Sequence, residues 1–183
     1  MKMNKLNKTI LAAAIAFGAT SMAYADQGHG KVTFTGSIID APCSITPDSI
    51  EQTVDLGQIS NVALKDGGKS TPRNFSIDLE NCTFSDDGSG NLSKNKVTVT
   101  FTGMESAANN GLLAITGTAK GASIAIADGD GQIIELGKAT KPHALQNGKN
   151  TLAYAAYMQG DGGTTAVTEG DFQAVADFTL AYN

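Results

Sequence analysis

Apolar and polar residues alternate with a period of two over the last part of the chain, residues 170–183. The even-numbered positions are apolar or small, and the odd-numbered ones are mostly polar, with Val175 and Ala181 as exceptions. Successive side chains of a β-strand point to opposite faces. The pattern therefore predicts one long, half-buried strand over residues 172–182 that ends with the chain.

Shorter runs of the same kind recur earlier, separated by turn-forming glycine, asparagine and aspartate residues. Helical patterns are weak, with single turns at most over residues 60–65 and 105–109. Many short strands between turn signals are typical of an all-β sandwich, and no linker divides the chain after its N-terminal segment. The predicted strands lie at residues 54–59, 75–79, 97–101, 112–115, 123–127, 132–136 and 152–158.

The N-terminus has the pattern of a secretory signal. Lys2, Lys5 and Lys8 precede an apolar run over residues 10–19, and Ala23-Tyr24-Ala25 offers a small-x-small cleavage site. Such a segment is too short for a membrane span and is removed on export. We therefore expect a signal peptide over residues 1–25 and an exported chain of 158 of the 183 residues, enough for one domain with a core.

The net charge of the exported chain argues against one class of partner. Removing three lysines from 13 basic residues leaves 10 against 18 acidic ones, a net charge of −8. A chain of this charge has no basic patch with which to neutralise phosphates, which argues against nucleic acid as a partner.

Cys43 and Cys82 are the only cysteines of the chain. An oxidising compartment makes one structural disulfide the expected state of two cysteines in an exported protein. Their spacing fits no thiolate metal motif.

A second alternating segment lies just before Cys43. After the glycine-rich residues 26–30, one face carries Val32, Phe34, Gly36 and Ile38. A glycine inside a strand weakens it unless something must approach closely there. From the residues alone, this segment could be the first strand of the protein's own sandwich.

Several features together give the chain a family resemblance. They are Gly170 as the fourteenth residue counted from the end, the penultimate Tyr182, the Asp40-Ala-Pro-Cys-Ser-Ile45 sequence, the strand that ends at Cys82, and the glycine-containing segment before Cys43. The chain resembles the pilin subunits of the chaperone–usher pathway, and the rod-forming pilins in particular. The resemblance covers essentially the whole exported chain.

The resemblance implies an incomplete immunoglobulin-like sandwich that lacks its final strand. A periplasmic chaperone, and later the donor arm of a neighbouring subunit at the outer-membrane usher, would complete it. Residues 26–39 would be the donor arm, with Val32, Phe34, Gly36 and Ile38 as its inserted face, and residues 40–183 the pilin domain. The strand that accepts a donor would present Gly170, Phe172, Ala174, Ala176, Phe178, Leu180 and Tyr182.

The function that follows is a structural major subunit of a fimbria on the bacterial surface, a homopolymer that supports adhesion. A minor adaptor pilin and a single-domain adhesin that binds a host ligand remain alternatives, and an exported enzyme is the least favoured one.

Two segments resemble ligand-binding loops but lack required residues. Gly67-Gly-Lys69-Ser70 lacks the first glycine of a phosphate loop, because Ala63 stands there. The segment from Asp128 lacks the glycine and glutamate of a calcium loop. We therefore expect no catalytic residues, cofactor or metal.

Overall fold

A computed structural model of the chain describes residues 30–86, 88, 92–108, 111–163 and 165–183. The predicted signal peptide over residues 1–25 and the start of the predicted arm lie outside this part. The chain divides into two compact units, Met1–Ile38 and Ile39–Asn183. No helix of the described residues is long and apolar enough to span a membrane.

The first unit is described from residue 30 onward. None of its described residues belongs to a strand or a helix. The apolar side chains predicted to share one face are exposed, with relative accessibilities of 74% for Val32, 90% for Phe34 and 103% for Ile38.

The second unit is built almost entirely of antiparallel strands. A four-residue helix α1 (Pro47–Ile50) and a 3-10 helix (Asn61–Gly67) are the helical elements among its described residues. The strands in chain order are β1 (Ser44–Ile45), β2 (Arg73–Cys82), β3 (Lys96–Gly103), β4 (Leu113–Ala114), β5 (Thr116–Gly117), β6 (Ala122–Asp128), β7 (Ile133–Ile134), β8 (His143–Ala144), β9 (Gly148–Gly160), β10 (Phe172–Gln173) and β11 (Ala176–Tyr182).

Two sheets pack face to face. One has the order β1-β2-β9-β6-β4 with β7 on β6, the other has the order β11-β3-β8, and β10 pairs with β5 separately. Their inner faces meet where Phe101 of β3 packs edge-to-face on Tyr154 of β9, with 5.2 Å between ring centroids. Ile77 and Val99 are fully buried in the same core, one from each sheet. The prediction of an all-β sandwich is confirmed.

The strongest alternating runs form the long strands β2, β3, β6 and β9. The strand predicted at residues 54–59 is wrong, because these residues pair with no strand among the described residues and Gly57 has a positive φ of +70°. The turn predicted at residues 105–109 is also absent from the residues described there, and Glu105 instead forms a β-bridge with Leu113.

The single strand predicted over residues 172–182 is two strands, β10 and β11. β11 pairs with β3 up to the pair Ala176–Gly103, beyond which β3 turns away and Met104 accepts a hydrogen bond from Ala114 N–H at 2.7 Å. The chain before Ala176 has therefore lost that partner, and Phe172 pairs with β5 instead. A Cβ on Gly103 would lie 2.8 Å from the Val175 oxygen, so only glycine fits this crossing.

Candidate functional site: a groove beside the C-terminal strand

β11 lies at the edge of its sheet and pairs only with β3 among the described strands. The register runs from Ala176 opposite Gly103 to Tyr182 opposite Val97. An edge strand of this length presents unpaired backbone groups to any chain that approaches it. The last strand of the molecule is thus the open side of the sandwich.

Alternate residues of β11 direct their backbone N–H and C=O groups towards β3 or towards the open edge, and the hydrogen bonds show which residues do which. Lys96 N–H donates to the Asn183 oxygen at 3.1 Å, and Asn183 N–H donates back to the Lys96 oxygen at 2.8 Å. Bonded and non-bonded pairs alternate along an antiparallel ladder. Odd-numbered residues of β11 therefore bond to β3, consistent with Thr140 N–H bonding the Val99 oxygen on the far side of β3 at 2.9 Å. The residues whose backbone groups face the open edge are Ala176, Phe178, Leu180 and Tyr182.

The same even-numbered residues point their side chains inward. Phe178, Leu180 and Tyr182 are half-buried and pack against the main core cluster, and Phe178 lies 6.4 Å from the Phe101 ring centroid. Thr179 and Ala181, on the other face, are exposed. Each even-numbered residue of β11 thus combines backbone groups that face the open edge with a half-buried apolar side chain.

A groove runs beside this strand. It contains a cavity of about 400 Å³ and an adjoining depression of about 860 Å³, which share Leu56, Ile124 and Ala176 in their lining. One wall is the segment of residues 52–59, and the other is formed by residues 167–178. The floor is mainly apolar and is lined by Phe75, Ile77, Phe101, Leu113, Ile124, Ile126 and Ala156.

The edge of the opposite sheet is covered, unlike that of β11. β1 pairs with only two residues of β2, and the α1 segment caps the next ones. Asp78 N–H donates to Ser49 Oγ at 2.9 Å, Thr46 N–H donates to the Asp78 oxygen at 3.0 Å, and Gln52 Nε2 donates to the Ser76 oxygen at 2.9 Å. The edge of β2 next to the groove therefore has some of its backbone groups satisfied, at Asp78 and Ser76, whereas β11 has open ones.

The sequence did not predict this covered wall. Pro47 at the start of α1 is a helix-start signal that would have found the helix. The contacts of Ser49 and Gln52 with β2 join residues 24 to 29 positions apart, which no local pattern reveals.

The structure brings the predicted acceptor residues together along the groove. Phe172, Ala174 and Ala176 pack against the second core cluster, next to Leu113 and Met158. Gly170 precedes them with φ +150°, and a Cβ there would lie 2.6 Å from the Ala119 nitrogen. Glycine at this position follows from both its backbone conformation and the close approach of the neighbouring chain.

The disulfide between Cys43 and Cys82 is present, with 4.1 Å between the Cα atoms. It ties the chain just before β1 to the end of β2, beside the bond from Thr83 N–H to the Pro42 oxygen at 2.9 Å. The predicted pairing of these cysteines is confirmed.

Burial dominates the electrostatics of the groove region. Burial raises the pKa of the Tyr182 hydroxyl, which lies at the end of the open strand. Burial, followed by the nearby Asp128 carboxylate, raises the pKa of Tyr154 in the core to about 12. Both hydroxyls are therefore neutral at physiological pH, and the groove presents no ionised tyrosine.

In the aspartate-rich turn after β6, the Asp128 carboxylate accepts hydrogen bonds from backbone groups of the same turn. Asp128 Oδ1 accepts hydrogen bonds from Asp130 N–H at 3.0 Å and Gln132 N–H at 2.8 Å. The described residues include no group of three or more His, Cys, Asp or Glu side chains arranged to hold a metal ion.

An antiparallel sandwich with one open edge strand beside an apolar groove defines a class of protein that can accept an added strand at that edge. Comparison with known proteins agrees with this class. A family model of fimbrial proteins matches residues 32–183. The chain is 62% identical to the Fimbria A protein of Serratia marcescens over 97% of this chain and 99% of that protein. It is 49% identical to the major MR/P fimbria protein of Proteus mirabilis, over 100% and 99%.

Solved structures give the same result. A subunit of a chaperone–usher pilus, from a study of rod uncoiling, superposes with a TM-score of 0.75 at 37% identity, covering 86% of this chain and 97% of that one. The P pilus rod subunit PapA superposes with a TM-score of 0.69 at 34% identity, covering 78% and 100%. The chain belongs to the fimbrial protein family, has its immunoglobulin-like fold, and is a structural subunit of a fimbria.

Proposed function

We propose that this chain is the major, rod-forming subunit of a surface fimbria, and that it polymerises by donor-strand exchange. Residues 26–39 act as the donor arm and residues 40–183 as the acceptor domain. The observation that carries the proposal is the open edge of β11 above an apolar groove.

The arm has the chemistry that this groove requires. Val32, Phe34 and Ile38 are apolar and exposed, and they share one face with Gly36. Burying three such side chains stabilises the contact by about 1.5–3 kcal/mol each, or roughly 5–9 kcal/mol together. Pairing with the open backbone groups of β11 adds hydrogen bonds, as in other strand-addition complexes.

Head-to-tail use of one arm and one groove gives a filament rather than a closed ring. Each chain offers a groove to one neighbour and an arm to another, and a heterologous contact that does not close propagates without limit. Identical subunits are therefore the main partners of this chain. Its relatives named as major fimbrial proteins support the rod role.

Before assembly the groove needs a temporary partner. An exposed apolar groove beside an unpaired edge strand favours aggregation. A periplasmic chaperone that lends a strand, and an outer-membrane usher at which the arm replaces that strand, would meet this need. The chain would therefore pass through the periplasm to a fimbria on the cell surface, supporting adhesion.

Electron microscopy with immunogold labelling tests the proposed rod role. Antibodies against this chain should label filaments along their whole length, and cells that lack only this chain should lose the filaments. Label confined to filament tips or junctions, with filaments persisting in the deletion strain, would assign a minor subunit instead.

A further inference from the structure

The sulfur atoms of the exported chain differ sharply in exposure. Residues 26–183 contain two methionines, Met104 and Met158, besides the two cysteines. Both cysteines are buried in the disulfide, so the chain carries no thiol that would react first with an oxidant. Met104 is 64% exposed, whereas Met158 is 2% exposed. The two thioethers therefore differ in the property that most controls their oxidation.

We propose that Met104 is an oxidation site, at which each subunit reduces one molecule of a peroxide and keeps its fold. The site lies outside the groove and does not depend on strand exchange. A fimbria built from this chain would carry one such thioether per subunit. Its capacity to consume oxidant would then grow with the number of subunits.

The reaction needs no reductant besides the thioether itself. A lone pair of Met104 Sδ attacks one oxygen of hydrogen peroxide, and the S–O bond forms as the O–O bond breaks. The departing oxygen takes the proton of the attacked oxygen and leaves as water. Sulfur loses the electron pair that the peroxide gains, and the product is methionine sulfoxide. Methionine sulfoxide reductases with a thiol reductant reverse this change.

The position of Met104 allows this change without loss of the fold. It follows Gly103, where β3 parts from β11, and its backbone oxygen accepts a hydrogen bond from Ala114 N–H at 2.7 Å. The backbone is thus held by a main-chain bond, and the side chain belongs to none of the core clusters. A sulfoxide oxygen on Met104 would lie in water, so oxidation would bury no polar group.

Met158 has the opposite surroundings. It lies in β9 opposite Ile124 and is buried in the second core cluster beside Leu113. Its backbone N–H donates to Ser70 Oγ at 3.0 Å, and its oxygen accepts from Ser70 N–H at 2.8 Å. A sulfoxide here would place a polar group in the core. Peroxide reaches this sulfur only when the core opens, and core segments open with free energies close to that of global unfolding.

Oxidation of intact fimbriae, resolved by peptide, tests the site. Fimbriae sheared from cells are treated with hydrogen peroxide, quenched with catalase, unfolded and digested with trypsin. Tryptic cleavage separates the two methionines into residues 97–120 and 150–183, so mass spectrometry follows each one by itself. Met104 should gain one oxygen atom at least about 10-fold faster than Met158. The difference should disappear when the subunits are oxidised in denaturant.

Two matched variants measure the peroxide that is consumed. Leucine and methionine have similar volumes, so Met104→Leu and Met158→Leu should both assemble. Met158→Leu fimbriae should consume one equivalent of peroxide per subunit, as the unmodified ones do, and Met104→Leu fimbriae should consume almost none. Electron microscopy should show filaments of unchanged number and length after the treatment.

Two results would overturn the proposal. Oxidation of Met104 in intact fimbriae as slow as that of Met158 would mean that a neighbouring subunit covers the side chain. Filaments of Met158→Leu that shorten or dissociate as Met104 sulfoxide accumulates would show that the modification damages the protein. If a variant does not assemble, the two oxidation rates in unmodified fimbriae decide the question by themselves.

Discussion

The Asn61 side chain donates a hydrogen bond from Nδ2 to Glu169 Oε1 at 2.8 Å, although 108 positions separate the two residues. Asn61 begins the 3-10 helix that follows one groove wall, and Glu169 lies in the other wall. This hydrogen bond links the helix that follows one wall to the other wall at one end of the groove.

Removing this bond should loosen that end. Glu169→Ala removes the acceptor and should lower the free energy of unfolding by about 0.5–1 kcal/mol, since the bond is exposed. Glu169→Gln keeps an acceptor oxygen and serves as the matched control. Urea unfolding of the self-completed chain described below measures both. Equal losses in the two variants would show that the charge, and not the bond, stabilises the wall.

Gly36 is predicted to be essential for insertion but not for folding. Gly36→Arg places a long charged side chain on the inserted face of the arm, at a glycine that lets the two chains approach closely. The variant should accumulate normally with its chaperone and should form no filaments, as counted by electron microscopy. Ser37→Arg, one position along on the outward face, is the control and should assemble. Filaments of Gly36→Arg at the normal level would contradict the donor role.

The disulfide should contribute mainly through the unfolded chain. Its loop spans 39 positions, and the chain-entropy model assigns such a loop about 4 kcal/mol. Cys43→Ser or Cys82→Ser should therefore sharply lower the periplasmic yield, and the double variant should be no worse than either single one. Western blots of periplasmic extracts provide the measurement. A double variant with much lower yield than both singles would mean that the cysteines act separately.

The buried hydroxyl of Tyr154 predicts an alkaline loss of stability. Its folded-state pKa is raised from 10.0 to about 12, so the folded protein keeps this proton longer than the unfolded chain does. The contribution is therefore full below pH 10 and is lost as the pH rises to 12, by about 2–3 kcal/mol.

Tyr154→Phe should remove that part of the decline. The hydroxyl is buried with no hydrogen-bond partner among the described residues, so its loss should raise stability at pH 7 by about 1 kcal/mol. The raised pKa of Tyr182 leaves a smaller decline in the variant. Unfolding free energies at pH 7, 10 and 12 measure this difference, and parallel pH curves for parent and variant would contradict it.

The sequence predicted those parts of the fold that depend on local alternation. β2, β3 and β9 are long strands with one face in the core, and each carries a clear period of two. The inward face of residues 172–182 was predicted for the same reason. The break between β10 and β11 was not, because it depends on Gly103 and on the point where β3 changes partner.

Only one of the two walls of the groove was predicted correctly from the sequence. The open strand was predicted from alternation and family resemblance, but residues 54–59 in the opposite wall were predicted as a strand and form none. Whether a segment joins a ladder depends on its backbone conformation and on the neighbouring edge. Here Gly57 has φ +70° and its N–H bonds to Asp55 Oδ1, while Ser49 and Gln52 bond to the Asp78 N–H and the Ser76 oxygen of β2.

The last prediction tests the missing strand itself. Residues 26–39 are removed from the N-terminus and attached after Asn183 through a short turn-forming linker. An antiparallel arm would then follow β11 directly, as a hairpin partner, and cover its open backbone groups and the groove. Linking makes the contact intramolecular, with an effective concentration on the order of millimolar. The rearranged chain should be soluble, monomeric and folded without a chaperone, as measured by light scattering and amide exchange.

Two controls separate completion of the sandwich from mere attachment of a tail. The same rearranged chain with Gly36→Arg should fail to cover β11 and should aggregate. The chain of residues 26–183 in its natural order, made without a chaperone, should aggregate, be degraded or form short polymers, because its edge strand stays open. If that natural-order chain were instead a stable monomer with slow amide exchange across residues 172–182, its arm would be its own first strand. Donor-strand exchange would then be excluded for this chain, and a secreted single-domain binding protein would explain the fold better.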